Sequence, residues 1–130
     1  MAFYLDTSAA VKLVVAERGS TALLRWVSEH QDRIVSSDLL RTELQRATRR
    51  GAPQEMERAR TVLESVTLMT IVRSTFERAA ELEPDLLRSL DALHLAAALE
   101  LGDDLEGIVT YDDRLAEATH RYGIPVVAPR

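Results

Sequence analysis

The chain has 130 residues, 46% of them hydrophobic, so a single domain spanning residues 1–130 with a sizeable core is expected. It holds no cysteine, which excludes disulfides and thiolate metal sites, and no apolar run approaches the roughly 18 residues of a membrane span. A net charge of −5 argues against broad nucleic-acid binding by the whole surface, although a local basic groove stays compatible with it.

In chain order, short β-like runs alternate with helical patterns. AFYL (2–5) is the first run; Asp6, Thr7 and Ser8 follow it, and residues 8–16 read as a buried helix. The N-terminus has no basic region ahead of its apolar residues, and Asp6 and Lys12 interrupt it, so a secretory signal is not expected and the location is read as cytoplasmic. Ser20 is a candidate cap for a second helix carrying Leu23, Leu24 and Val27. RIVS (33–36) is the second run, and residues 37–50 form a helix ended by Gly51. Pro53 suits a helix start, with Met56, Ala59, Leu63 and Val66 as its apolar stripe. MTIV (69–72) is the third run; Ser74 with Glu77 then fits a capping box. After Pro84, Ser89 is placed to cap a helix over 90–101 that stops at Gly102. GIVT (107–110), a helix over 113–122 ending at Gly123, and PVVA (125–128) complete the chain. Helical crossovers between the runs predict an α/β fold with a mainly parallel sheet.

Four acidic positions stand out. Asp6 ends the first strand, and Asp112 lies just past the strand 107–110; open α/β sheets bind ligands beyond the carboxyl ends of their strands. Glu43 is mid-helix in SSDLLRTELQRA, and Asp91 opens a helix that is apolar nearly all round. Each has an ordinary structural reading: a turn bond for Asp6, an ion pair with Arg46 or Arg49 for Glu43, a helix-dipole position for Asp91, and an N-cap at Asp112 or Asp113. If the four converge, electrostatics demands more. Two like charges ~4 Å apart repel by about 4 kcal/mol at an effective dielectric of 20. Four together must hold protons or a cation, and oxygen ligands favour a hard one, Mg²⁺ or Mn²⁺. Such sites activate water for phosphoryl chemistry.

Spacing alone does not show that they meet. The segments YLDTSAAVKL, SSDLLRTELQRA, SLDALHLAAALELG and IVTYDDRLAEATHRYGIPVV, taken together and in order, resemble a PIN-domain protein, and more narrowly the VapC-type toxins of bacterial toxin–antitoxin pairs. The resemblance runs nearly end to end. It implies a three-layer α/β/α sandwich and a Mg²⁺-dependent endoribonuclease that cuts structured RNA such as tRNA or ribosomal RNA. It also implies a homodimer and a VapB-type antitoxin that inserts into the acidic groove. Its four acids fall on Asp6, Glu43, Asp91 and Asp112, with Asp113 able to share the last role, and none is missing. On this reading Asp6, Asp91 and Asp112 hold the metal directly or through water. Glu43 holds it or orients the attacking water, and cleavage leaves a 3′-hydroxyl and a 5′-phosphate. Thr7, Ser8 and Thr110 are candidate donors to the carboxylates, or equally cap and turn residues.

Fifteen of the sixteen basic residues are arginine, which suits bidentate phosphate contact but also follows from a GC-rich genome. Arg41, Arg46, Arg49 and Arg50 are candidate RNA contacts, or a solvated helix face. His94, three residues after Asp91, is read as a core histidine with one hydrogen bond ahead of a ligand; His30 and His120 are read as surface positions. Tyr111 is assigned to packing ahead of base stacking, and Trp26 to the core or a dimer interface. Three rivals remain. A phosphotransfer reading of LDTS lacks the second aspartate, since position 8 is Ser8. A non-catalytic acidic binding module leaves four intact acids unexplained. A DNA nuclease shares the chemistry, but the short chain has little room for DNA-clamping elements.

Overall fold

The computed structural model describes residues 1–130. Five strands form one parallel sheet: β1 (Ala2–Leu5), β2 (Ile34–Ser37), β3 (Thr67–Met69), β4 (Leu105–Val109) and β5 (Val126–Val127). Their order across the sheet is β3-β2-β1-β4-β5. The chain winds outward from β1 through β2 to β3, then crosses back to add β4 and β5 on the other side. The winding therefore reverses between β1 and β4. In an open α/β sheet, that reversal opens a crevice at the carboxyl ends of the two strands.

Side chains of successive strand residues point to opposite faces, and the core divides accordingly. Leu5, Ile34 and Val109 pack under α1 (Thr7–Val14), α2 (Ser20–Glu29), α3 (Leu39–Gly51) and α4 (Met56–Ser65). Tyr4 and Ile108 point the other way, toward α6 (Ser89–Leu99) and α7 (Asp113–Arg121). The result is the expected α/β/α sandwich. On the outer flank, α5 (Arg73–Glu81) lies against α6, where Ala79, Ala92 and Ala96 let the two backbones approach. The small side chains of α6 explain how a helix with Ala96, Ala97 and Ala98 fully buried fits between sheet and neighbour. No helix is long and apolar enough to cross a membrane.

Several local expectations need correction. Ser20 does not cap α2: Gly19, at φ 90°, does so, and the Ser20 hydroxyl accepts from Glu17 N–H and donates to the Val15 carbonyl. Ser74 and Glu77 do not form a capping box. Thr75 Oγ1 accepts from Val72 N–H at 3.4 Å, while Glu77 pairs with Arg73 in solvent. Ser89 is the first residue of α6, and Arg88 is its N-cap. Pro53 opens a short 3₁₀ turn ahead of α4. The third strand spans Thr67–Met69 instead of 69–72, because Val35, Ser36 and Ser37 pair with those three residues before the chain turns away.

Candidate active site

The sheet brings Asp6 and the segment after β4 together directly. Asp6 N–H donates to the Val109 carbonyl at 3.1 Å, extending the β1–β4 pairing one residue past Leu5. Asp6 is only 3% exposed. Its Oδ1 caps α1, accepting from Ala9 N–H at 2.9 Å and from Ser8 Oγ at 2.7 Å. Its Oδ2 accepts from Thr110 Oγ1 at 2.5 Å. Burial raises the Asp6 pKa above the ordinary value, against the opposing effect of those three bonds. Ser8 Oγ also accepts from Tyr111 N–H, and Thr110 Oγ1 from Asp112 N–H. The same two hydroxyls thus hold the carboxylate and shape the loop that delivers Asp112.

Asp112 is the N-cap of α7: its Oδ1 accepts from Arg114 N–H at 2.9 Å and Leu115 N–H at 3.1 Å. Its Oδ2 points away from the helix and meets Arg88 Nη2 at 2.9 Å. The same nitrogen lies 3.0 Å from Asp91 Oδ2, so the two carboxylates face each other across one guanidinium. Burial and repulsion by Asp112 raise the Asp91 pKa, with Arg88 and His94 opposing. Asp113 is exposed on the first turn of α7, beside this cluster.

Glu43 enters from α3, on the opposite side of the sheet from α6. Its Oε1 accepts from Thr7 Oγ1 at 2.9 Å and pairs with His94 Nε2 at 2.6 Å. Burial alone would raise the Glu43 pKa, but the hydrogen bond to His94 and attraction by it, with Thr7 and Arg88, hold it below the usual carboxylate range. His94 is a core residue, 2% exposed, yet it makes more than one hydrogen bond: Nδ1 meets Tyr4 Oη at 2.8 Å, and Tyr4 in turn donates to Ser37 Oγ at 2.8 Å. A buried line therefore runs from Ser37 through Tyr4 and His94 to Glu43. Its sequence signal was the polar His94 on an otherwise apolar helix, and the single-bond expectation undercounts it. Burial raises the pKa of Tyr4 well above its ordinary value, so its hydroxyl keeps its proton.

The four acids from β1, α3, α6 and the loop after β4 thus share one crevice. The side chains as they stand do not form a cage: no three His, Cys, Asp or Glu groups converge on a point that would hold an ion. Each carboxylate is instead engaged by a hydroxyl, a ring nitrogen or a guanidinium. The all-oxygen carboxylate set nevertheless fits a hard divalent cation, and Arg88 already sits as a positive charge between two of its members. Beside Glu43 a groove of about 590 Å³ opens, lined by Thr7, Leu39, Arg46, Arg50, Phe76 and Leu90 among others. Of the candidate RNA-binding arginines, Arg46 and Arg50 line it; Arg41 pairs with Asp38 at 3.0 Å, and Arg49 is exposed away from the groove lining. Tyr111 is tied down: its hydroxyl donates to the Pro129 carbonyl and Lys12 lies over its ring. Of the other histidines, His120 is exposed, while His30 is half-buried and stacks on Trp26 at 4.3 Å.

A parallel sheet between helical layers, with acids along the crevice at its reversal point and an arginine-lined groove beside them, defines an α/β class, and comparison with known proteins gives the family. The family model for the PIN domain matches residues 3–120. Ribonuclease VapC46 of Mycobacterium tuberculosis is 41% identical over 128 residues, covering 98% of both chains. Ribonuclease VapC35 of the same species is 40% identical and Ribonuclease VapC47 36%, each covering 97% of this chain and 96% of its own. The chain belongs to the PIN-domain family and is of the VapC type.

Proposed function

We propose that the protein is a Mg²⁺-dependent endoribonuclease, with Mn²⁺ able to substitute, acting as the toxin of a toxin–antitoxin pair on structured RNA such as tRNA or ribosomal RNA. The observation that supports this reading is the chain of contacts at the sheet's reversal point: Thr110 joins Asp6 to the Asp112 segment, Arg88 joins Asp112 to Asp91, and Thr7, next to Asp6, bonds Glu43. Bound there, a divalent cation would acidify water and offset charge on the transferring phosphate. Asp6, Asp91 and Asp112 hold that cation, directly or through water. Asp6 is fixed for this by Ser8, Ala9 and Thr110.

Glu43 orients the attacking water. Both of its hydrogen bonds fall on Oε1, which leaves Oε2 available to the water. Its lowered pKa keeps it ionised at neutral pH. His94 touches no substrate atom in this scheme; it is a positioning residue that fixes the Glu43 carboxylate. Water oxygen adds to phosphorus in line with the departing 3′ oxygen, and the products carry a 3′-hydroxyl and a 5′-phosphate. Arg46 and Arg50 offer phosphate contacts along the adjoining groove.

The antitoxin is of the VapB type, and the groove with exposed Phe76 and Leu90 beside the acids suits an amphipathic segment. A homodimer, a larger assembly with antitoxin and a cytoplasmic location follow from the resemblance to VapC-type toxins.

The test is cleavage of a panel of bacterial tRNA and ribosomal RNA fragments by antitoxin-free protein, with Mg²⁺, with Mn²⁺ and with EDTA. Asp6→Asn and Asp91→Asn are run alongside. Discrete cuts that need the metal and vanish in both variants support the reading. Equal trace cleavage by wild type and variants marks contamination and favours the acidic binding-module alternative.

A further inference from the structure

We propose that Arg88 sets the divalent-metal affinity of the site by competing for the same carboxylate oxygens, so that a metal ion binds only by displacing its guanidinium. The proposal rests on the metal-site reading above. Asp112 has committed Oδ1 to two backbone N–H groups of α7, so Oδ2 is the oxygen it can offer a ligand, and Arg88 Nη2 lies 2.9 Å from it. At Asp91, Arg88 reaches Oδ2 with both Nε, at 3.1 Å, and Nη2, at 3.0 Å. One guanidinium nitrogen therefore lies against both Oδ2 atoms, the ground that a cation held by Asp112 Oδ2 would need. Two cations cannot share that position, because contact distance and charge repulsion both forbid it.

No other arginine or lysine pairs with any of the four acids. The Arg88 side chain is also open to solvent. Arg88 is the N-cap of α6 and makes no side-chain cap bond to that helix's backbone, so the two carboxylates are the guanidinium's hydrogen-bond partners. Its side chain is 58% exposed, so swinging out leaves no cavity behind. In place, it relieves the repulsion between Asp91 and Asp112; displaced, it gives both oxygens to the incoming ion.

The test uses the full chain and Mn²⁺ alone as the probe, with free Mn²⁺ followed by electron paramagnetic resonance. Wild type is compared with Arg88→Gln and with Arg114→Gln. Arg114→Gln removes the same unit of charge from the first turn of α7 without touching either carboxylate's bonds to Arg88. Arg88→Gln is expected to bind Mn²⁺ roughly tenfold more tightly, the scale of losing two exposed ion pairs. Arg114→Gln is expected to match wild type. Unchanged or weaker binding in Arg88→Gln, or equal tightening in both variants, overturns the proposal while leaving the metal site intact. No Mn²⁺ binding by wild type or by Arg88→Gln overturns the metal-site reading itself, and this inference with it.

Discussion

Asp6 has a structural role as the cap of α1, and the proposed function gives the same residue a chemical one. Its Oδ1 does the work of an N-cap, and its Oδ2 is held by Thr110 at the floor of the crevice. The stretch FYLDTSAAVKL is thus a helix start, and the proposed site uses the same aspartate without removing its cap. The tension between them is measurable. Burial raises the Asp6 pKa, so the folded chain binds its proton more tightly than the unfolded chain does. Stability from this residue is therefore present at low pH and is lost as pH rises through the folded pKa. Asp6→Asn should melt above wild type at pH 7–8 in a chelator. That gap should narrow as pH falls toward the ordinary aspartate value, because wild-type Asp6 then takes up its proton. Thermal melts of both proteins across pH 4.5–8 check this. A variant less stable at every pH would mean that the three hydrogen bonds outweigh the burial.

Among the elements, β4 carries a residue whose absence of a side chain is structural. Gly107 lies between Phe3 of β1 and Val127 of β5, and a Cβ there would stand 3.0 Å from the Pro125 carbonyl oxygen and 3.4 Å from both neighbouring side chains. The Pro125 carbonyl has to give by a few tenths of an ångström to accept it, so Gly107→Ala should cost about 1–3 kcal/mol, read from urea melts. In the sequence Gly107 reads as the first residue of the run GIVT; the structure starts β4 at Leu105 and so puts the glycine inside the strand, where such close approach is expected. Other signals misled for identifiable reasons. The β-branched pair Ile71 and Val72 looks like strand, but β3 ends at Met69, where Asp38 N–H takes its carbonyl. Ser74 and Glu77 have capping-box spacing, yet Thr75 is better placed, since its hydroxyl also donates to Glu100 of the neighbouring helix end at 2.7 Å. Local rules fixed the alternation of strands and helices, while tertiary partners decided which residue ends each one.

Across the whole molecule, topology brings the four acids to one crevice. Glu43 and Asp91 sit on helices that cover opposite faces of the sheet, and no spacing in the sequence says that α3 and α6 reach over the same strand end. Only their order within a resembled family pattern made the convergence legible in advance. The Ser37–Tyr4–His94 line and the Arg88 bridge were not legible, because both depend on side chains brought together across 24 to 90 residues. Charge follows the same logic. The four acids account for four of the five net negative charges, so the rest of the surface is nearly neutral, and the proposed function puts the RNA contacts on local arginines. Arg46 and Arg50 are the two that line the groove beside Glu43. Each phosphate neutralised on a single strand contributes about 0.7 to the slope of log affinity against log salt. Arg46→Gln with Arg50→Gln should therefore flatten the salt dependence of RNA binding by roughly 1.4. Arg41→Gln with Arg49→Gln removes as much charge from the same helix but none from the groove lining, and should change the slope far less. Binding titrations in EDTA from 50 to 300 mM salt separate the cases. Equal flattening by both pairs would make the arginines of α3 a diffuse positive face instead of a track for the strand.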